Sequence, residues 1–119
     1  MKTLCIIFKT APHGNPNGRE ALDLALLSAS FDQKVILIFS DEGVLNLVEN
    51  QNPELIKAKD YIATFKALPL YEIDDIFVCQ QSLLEFGLSK NALNINEAQI
   101  ADQQCIQTQL KLADEVLVF

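Results

Sequence analysis

Short apolar runs, separated by longer helix-like segments, are the dominant pattern of this chain. Residues 4–8 and 35–39 are apolar at every position, without the alternation of polar and apolar residues that marks a half-buried strand. Continuous runs of this kind are typical of strands buried on both faces, as in a parallel sheet covered by helices. Similar runs at residues 75–79 and 115–119, and a weaker one at residues 93–95, bring the predicted sheet to about five strands.

The first helix-like segment, residues 18–30, is apolar around most of its circumference. Its polar residues form only a narrow stripe through Glu20 and Asp23, whereas a surface helix of a globular protein normally has a single apolar stripe. One side of this helix is expected to pack on the sheet. The other side needs a second cover, which comes either from within the domain or from another protein chain.

Further helical segments are predicted after the second strand-like run and before the last one. Asp41 and Glu42 have the acidic side chains that suit the first turn of a helix. Pro53 suits the start of a longer helix, which Pro69 ends. A last helix is predicted over residues 100–113, and its inward face is expected to consist of Ile106, Leu110 and Ala113.

Strands and helices therefore alternate along the chain. This order indicates an α/β fold, here a three-layer α/β/α sandwich around a largely parallel sheet. A length of 119 residues suits one domain with a proper core and is short for two. The sequence contains no internal repeat, low-complexity segment or linker-like boundary, so residues 1–119 are predicted to form a single domain.

Charge and hydropathy exclude several functional classes. The formal net charge is -7, and the sequence has no cluster of lysine and arginine residues that would bind a nucleic-acid backbone directly. No apolar run approaches the ~20 residues that a membrane-spanning helix needs. The run at residues 4–8 is also too short for a signal peptide. The chain is therefore expected to be cytoplasmic, without contact to a membrane.

The three cysteines, Cys5, Cys79 and Cys105, are an odd number at wide spacings. They do not form a fully paired disulfide framework, and a reducing compartment disfavours disulfides in any case. With one histidine and no Cys-x-x-Cys motif, a structural zinc site has too few ligands, so no metal or cofactor is expected. Cys5 lies within the first strand and is expected in the core, and Cys105, in the last helix, has no assigned function.

Cys79 ends a predicted strand and precedes a helix-like segment, residues 80–86. In open parallel sheets, ligands and reactive groups gather beyond the carboxyl ends of the strands. The free N–H groups at the start of a helix also favour a thiolate over a thiol. Such a thiolate would attack a persulfide and hold the transferred sulfur as Cys–S–SH. The alternative is a structural cysteine, since cysteine is among the residue types most often buried.

The loop of residues 10–20 follows the first strand and opens the first helix, where nucleotide-binding folds place their phosphate loops. Gly14 and Gly18 do not form a G-x-G-x-x-G motif, and the lysine of a Walker A loop is missing. His13 is interpreted as a proton donor or as a group that lowers the pKa of a nearby thiol; the alternative is a solvated loop side chain. Arg19 stands early in a helix, where its charge opposes the helix dipole, and is expected to pair with a carboxylate of this chain or of a partner.

Short blocks of residues in a fixed order, along almost the whole chain, carry a resemblance to a known family. They are TAPHG at residues 10–14, GRE at 18–20, DYIATFK at 60–66, LY at 70–71, VC at 78–79, SL at 82–83 and GL at 87–88. Together they resemble the TusC-like proteins, in the DsrF-like branch of the DsrE/DsrF/DsrH sulfur-relay family. No single block is a chemical signature, and the specificity lies in their joint occurrence.

The resemblance implies a three-layer α/β/α domain that is a subunit of a heterohexamer with TusB-like and TusD-like partners. Such a complex takes persulfide sulfur from a TusA-like donor and passes it to a TusE-like acceptor. The sulfur ends in the 2-thiouridine at the wobble position of tRNA. The chain itself would take part in tRNA modification without touching RNA, in agreement with its acidic charge.

The resemblance also bears on the role of Cys79. In this family, sulfur carriage is assigned chiefly to the TusD-like subunit, whose cysteine occupies an equivalent position at a strand end. The chain is therefore interpreted mainly as an assembly and docking subunit with little or no catalytic activity of its own. Two alternatives stay open. One is a sulfurtransferase that carries persulfide on Cys79, with His13 and Arg19 as supporting residues; the other is a small-ligand-binding module that uses the loop of residues 10–18.

Overall fold

A computed structural model describes residues 2–10, 17–47, 68–88 and 98–119. Within these ranges the chain forms five strands, three α-helices and two 3₁₀ helices. The strands are β1 (Thr3–Phe8), β2 (Lys34–Phe39), β3 (Asp75–Cys79), β4 (Gln99–Ala101) and β5 (Glu115–Val118). The α-helices are α1 (Asn17–Ser30), α2 (Gln80–Glu85) and α3 (Gln103–Leu112), and the 3₁₀ helices are Asp41–Leu47 and Leu68–Tyr71.

The five strands form one sheet in the order β4-β3-β2-β1-β5, and every neighbouring pair is parallel. Phe8 pairs with Phe39, and Phe39 pairs with Val78. The carboxyl ends of β1, β2 and β3 therefore lie side by side at the same edge of the sheet. The predicted α/β fold with a parallel sheet is confirmed.

Side chains alternate between two apolar cores, one on each face of the sheet. On the first face, Phe8 and Phe39 stack with ring centroids 4.4 Å apart, and the core includes Leu22 of α1 and Leu83 of α2. On the second face, the core consists of Cys5, Ile36, Ile38, Phe77 and Ala101, with residues of α3 packed against it. Helices thus cover both faces, which gives the expected three layers. None of the helices in the described ranges is long and apolar enough to cross a membrane.

The predicted first helix is confirmed and begins one residue earlier, at Asn17. Ala21, Leu22 and Ala25 are buried against the sheet, whereas Leu27 is 57% exposed. The described structure therefore leaves part of the apolar surface of this helix exposed. The helix predicted from Pro53 and the strand predicted at residues 93–95 lie outside the described residues.

The predicted last helix was wrong at its start. Residues 99–101 form the edge strand β4, with Ala101 in register with Cys79, and α3 begins only at Gln103. Asp102 separates the two elements, because its Oδ1 accepts the N–H of Cys105 at 2.8 Å and so caps the helix. The inward face was correct: Ile106, Leu110 and Ala113 pack against the second core.

The 3₁₀ helix Asp41–Leu47 crosses the carboxyl end of β1 in close contact. The N–H of Ser40 donates to the carbonyl oxygen of Phe8 at 3.0 Å, and the N–H of Gly43 donates to the carbonyl oxygen of Ser40 at 2.8 Å. A Cβ atom at Gly43 would overlap the backbone carbonyl group of Phe8. Glycine is therefore required here because two backbone segments approach each other.

We expect Gly43→Ala to lower the free energy of unfolding by about 3 kcal/mol, because the new methyl group has to displace backbone atoms. Gly87→Ala is the matched comparison: Gly87 has a φ of +64° but open space around its Cα, so only conformational strain of about 1 kcal/mol is expected. Urea unfolding of both variants measures the difference. Equal losses in the two variants would contradict the close approach at Gly43.

Candidate functional site

A groove of about 510 Å³ opens at the carboxyl ends of β1, β2, β3 and β4. The residues that follow these strands form its floor and rim, and one side of α3 forms a wall. Its lining residues are Lys9, Ser40, Asp41, Cys79, Gln80, Gln81, Asp102, Gln103, Ile106, Gln107 and Leu110. Ligand sites of open α/β sheets lie at this edge, because there the strands end and their connecting segments supply polar groups.

Cys79 stands at the junction of β3 and α2, inside this groove. Its backbone is extended, with φ -65° and ψ 118°, and it is the N-cap residue of α2. The thiol is half-buried and makes no capping hydrogen bond with the helix, so its sulfur is not occupied by a structural role at the helix start. Cys79 therefore has an ordered backbone and a side chain that lines the groove.

Two interactions of Asp41 hold the rim of the groove beside Cys79. The backbone N–H of Asp41 donates to Oγ of Ser82 at 2.8 Å, which connects the end of β2 to the first turn of α2. The Asp41 carboxylate lies 3.6 Å from Nζ of Lys9, which follows β1. Three neighbouring strand ends are thus linked to each other around the groove. The ion pair is exposed and contributes little to stability, about 0–1 kcal/mol.

The groove offers neutral polar groups beside an apolar wall. Gln80, Gln81, Gln103 and Gln107 contribute four side-chain amides, and Ile106 and Leu110 contribute the apolar part. Its charged residues are engaged within the chain, Lys9 with Asp41 and Asp102 with the first turn of α3. Among the described residues, no three His, Cys, Asp or Glu side chains gather closely enough to hold a metal ion. The groove therefore presents two uncharged nucleophilic groups, the thiol of Cys79 and the hydroxyl of Ser40, of which the thiol is the stronger nucleophile.

The other predicted site residues lie elsewhere. Arg19 is exposed in the first turn of α1 and does not line the groove. His13 and most of the loop of residues 10–18 lie outside the described residues, so their support for a thiolate or for a small ligand stays a prediction. Sequence reasoning missed the contact of Ser82 with Asp41 and the approach of Gln103 and Gln107 to the groove, because these depend on which strands are neighbours. Gln80 and Gln81 directly follow Cys79, so their closeness to it is a local property of the sequence.

The two remaining cysteines differ from Cys79 in their surroundings. Cys5 is completely buried, as expected for a residue in the first strand, and its desolvation raises the pKa of the thiol to about 11. Burial acts in this direction because a thiolate loses its hydration when it leaves water. Cys105 is half-buried and packs against the second core, rather than lining the groove.

The sequence profile of the DsrE/DsrF-like family matches residues 2–119 of the chain. The chain belongs to the DsrE/DsrF-like family. The resemblance that the sequence blocks carried is therefore confirmed at the level of the family, and the match extends over both cores and the groove.

Individual relatives agree with this assignment. The chain is 37% identical to the protein TusC homolog of Aliivibrio fischeri (strain ATCC 700601 / ES114) over 119 residues, with 100% of both chains covered. The crystal structure of the ychN protein from E. coli superimposes with a TM-score of 0.82 and covers 100% of each chain. The sequence identity to the ychN protein is 20%, so this comparison shows a shared fold and nothing more.

In this DsrE/DsrF-like chain, we expect iodoacetamide at pH 8 to label Cys79 and Cys105 but not Cys5. A buried thiol with a pKa of about 11 is about one part in a thousand thiolate at that pH. Peptide mass spectrometry with and without urea measures the extent at each cysteine, and Cys5 should react only after unfolding. Labelling of native Cys5 at the rate of Cys79 would contradict the difference in burial.

Proposed function

We propose that this chain is a subunit of a TusBCD-like sulfur-relay complex, in which it holds TusB-like and TusD-like partners together. The complex would pass persulfide sulfur from a TusA-like donor to a TusE-like acceptor, towards 2-thiolation of the tRNA wobble uridine in the cytoplasm. Membership of the DsrE/DsrF-like family and the identity with a TusC homolog support this proposal. The structural observation that carries it is the amount of apolar surface exposed at separate places on the chain.

Large apolar side chains are exposed near the end of α1, on and just after α2, and on both edge strands. They include Leu27, Phe31, Leu84, Phe86, Ile100, Val116 and Val118. Phe31 and Leu84 are the most exposed of these, at 71% and 74%. Complete burial of one such side chain contributes about 1.5–3 kcal/mol. Apolar groups at several separate places favour contacts with more than one neighbouring subunit.

The sheet face at β5 shows how such surface arises. Val116 pairs with Cys5 and Val118 pairs with Ile7, so both valines point to the second face of the sheet. The helix on that face, α3, packs chiefly against β1, β3 and β4. The valines are consequently 40% and 59% exposed, although they continue an apolar face that is buried further along the sheet. Obligate interfaces bury apolar faces of this kind, commonly over about 2,000 Å² or more.

We expect the chain to co-purify with TusB-like and TusD-like partners and to form a heterohexamer with two copies of each subunit. Co-expression followed by native mass spectrometry measures this directly. The apolar surfaces should drive the assembly, because their burial releases water from side chains that the isolated chain leaves exposed. A well-behaved monomer that binds neither partner would overturn the proposal.

Substitutions at α2 and at β5 test separately which exposed apolar surface binds a partner. Leu84→Gln removes an apolar side chain from α2, and the double variant Val116→Thr with Val118→Thr removes two from β5 while it keeps β-branched residues in the strand. At least one of these variants should lose a partner and stay folded by circular dichroism. Glu85→Gln is the control, since Glu85 is exposed beside Leu84 without adding apolar surface. Retention of both partners by every variant would speak against these surfaces.

The groove favours a second function, in which Cys79 itself carries sulfur. The Cys79 thiolate would attack the outer sulfur of a persulfide R–S–S–H and form a new S–S bond. The donor's S–S bond breaks, and the donor leaves as the thiolate R–S⁻, with no net oxidation. The half-buried thiol in an open groove at the carboxyl edge of the sheet supports this role.

We expect Cys79→Ser to abolish labelling by a sulfur-loaded TusA-like donor and to leave assembly intact, because the substitution removes only the nucleophile. Intact-mass analysis of each subunit after exposure to the donor measures where the sulfur resides. Cys105→Ser is the matched control, since Cys105 lies outside the groove. Unchanged sulfur flux through the complex in Cys79→Ser would leave the chain with the assembly role alone.

A further inference from the structure

A buried serine hydroxyl joins two strand ends beside Cys79. Ser82 is 3% exposed and is one of two buried polar side chains in the described part of the chain, the other being Ser28. Its Oγ accepts the backbone N–H of Asp41 at 2.8 Å. The two residues are 41 positions apart in sequence, so this contact exists only because β2 and β3 are neighbours.

The N–H of Asp41 needs this acceptor because it has left the sheet. β2 ends at Phe39, and Asp41 has a φ of 51°, a left-handed conformation that turns the chain away from the strand direction. A partly buried backbone donor without an acceptor costs about 1–3 kcal/mol. Ser82 supplies the acceptor, and it does so from the first turn of α2.

The same hydrogen bond fixes the turn that contains Cys79. Cys79 is the N-cap of α2 and Ser82 is the third residue of the helix, so the two belong to one helical turn. On its other side, Cys79 is held by its register with Ala101 of β4. With six residues, α2 is too short to be stable by its own hydrogen bonds. Its position therefore depends on contacts such as Ser82 with Asp41, together with the burial of Leu83.

We propose that Ser82 is a positioning residue for sulfur transfer at Cys79. The inference rests on the second proposed function, transfer of persulfide sulfur to this thiol. The attacking sulfur has to lie in line with the S–S bond that breaks, and a misplacement of about 1 Å can reduce such a rate by up to about a hundredfold. By fixing the first turn of α2 to the end of β2, Ser82 holds the Cys79 sulfur in the groove without touching the donor itself.

The test compares the wild-type chain with Ser82→Ala, Ser82→Thr and Ser28→Ala. Ser82→Thr keeps the hydroxyl acceptor, and Ser28→Ala removes the other buried serine hydroxyl, on α1 and away from the groove. Glutathione persulfide is the sulfur donor, and mass spectrometry at each cysteine measures the loading rate of Cys79. Labelling of Cys5 by iodoacetamide reports whether each variant stays folded.

We expect Ser82→Ala to slow the loading of Cys79 about tenfold, while Ser82→Thr stays within about threefold of wild type and Ser28→Ala equals it. Hydrogen exchange at the Asp41 amide should accelerate by about tenfold or more in Ser82→Ala, since the donor loses its partner. In the wild-type chain that amide should exchange slowly, which tests the contact even where Ser82→Ala fails to fold.

The outcomes separate the inference from the function on which it rests. A wild-type Cys79 that takes no sulfur from glutathione persulfide overturns the carrier function, and the positioning role with it. A loaded wild type with unchanged loading in folded Ser82→Ala overturns the positioning role alone. Equal slowing in Ser82→Ala and Ser28→Ala also overturns it, because the effect then follows from losing any buried hydroxyl.

Discussion

The parallel direction of all five strands is the constraint on which the rest of the structure depends. A parallel sheet is covered on both faces, so its strands have apolar side chains on both sides. Polar and reactive side chains therefore lie beyond the ends of the strands. Because the strands run the same way, the residues that follow them meet at one edge. Lys9, Ser40, Cys79 and Asp102 come from four distant parts of the sequence and line one groove for this reason. The groove is thus a consequence of the topology, and its chemistry is set by which residues stand just beyond each strand.

Burial explains which elements the sequence could predict. The runs in β1, β2 and β3 are buried on both faces, so their apolar pattern is continuous and predicts these strands correctly, as the run at residues 115–119 predicts β5. Strand β4 was missed because it has three residues, two of them exposed, and an edge strand of this kind leaves no apolar run. Its residues Ile100 and Ala101 were therefore assigned to the following helix. Asp102 was the available signal for the boundary, since aspartate is a preferred N-cap residue.

Some features of the candidate site could be predicted from local sequence, and others depend on contacts between distant residues. Cys79 could be identified from the sequence because its position, after a strand and before a helix, is a local property. The contact between Ser82 and Asp41 could not, since it depends on the strand order and on the left-handed backbone of Asp41. The requirement for glycine at position 43 is also non-local. It follows from the close approach of the Phe8 backbone, which no residue near Gly43 in the sequence indicates.

The proposed assembly contact at β5 and the proposed sulfur chemistry at Cys79 would use different parts of this chain and are therefore compatible. The exposed valines of β5 lie on a face of the sheet, and the groove lies at the carboxyl edge, where neither valine is a lining residue. A neighbour that covers β5 can leave Cys79 open to a sulfur donor. The net charge of -7 disfavours the approach of a polyanion such as tRNA, which agrees with a role that does not include RNA binding. Within the groove, however, Lys9 is paired with Asp41, and neutral glutamine amides stand beside the thiol. Sulfur transfer at this site would therefore depend on the position of Cys79 more than on charge in the groove, and the hydrogen bond of a single buried serine, Ser82, would then affect the rate of transfer.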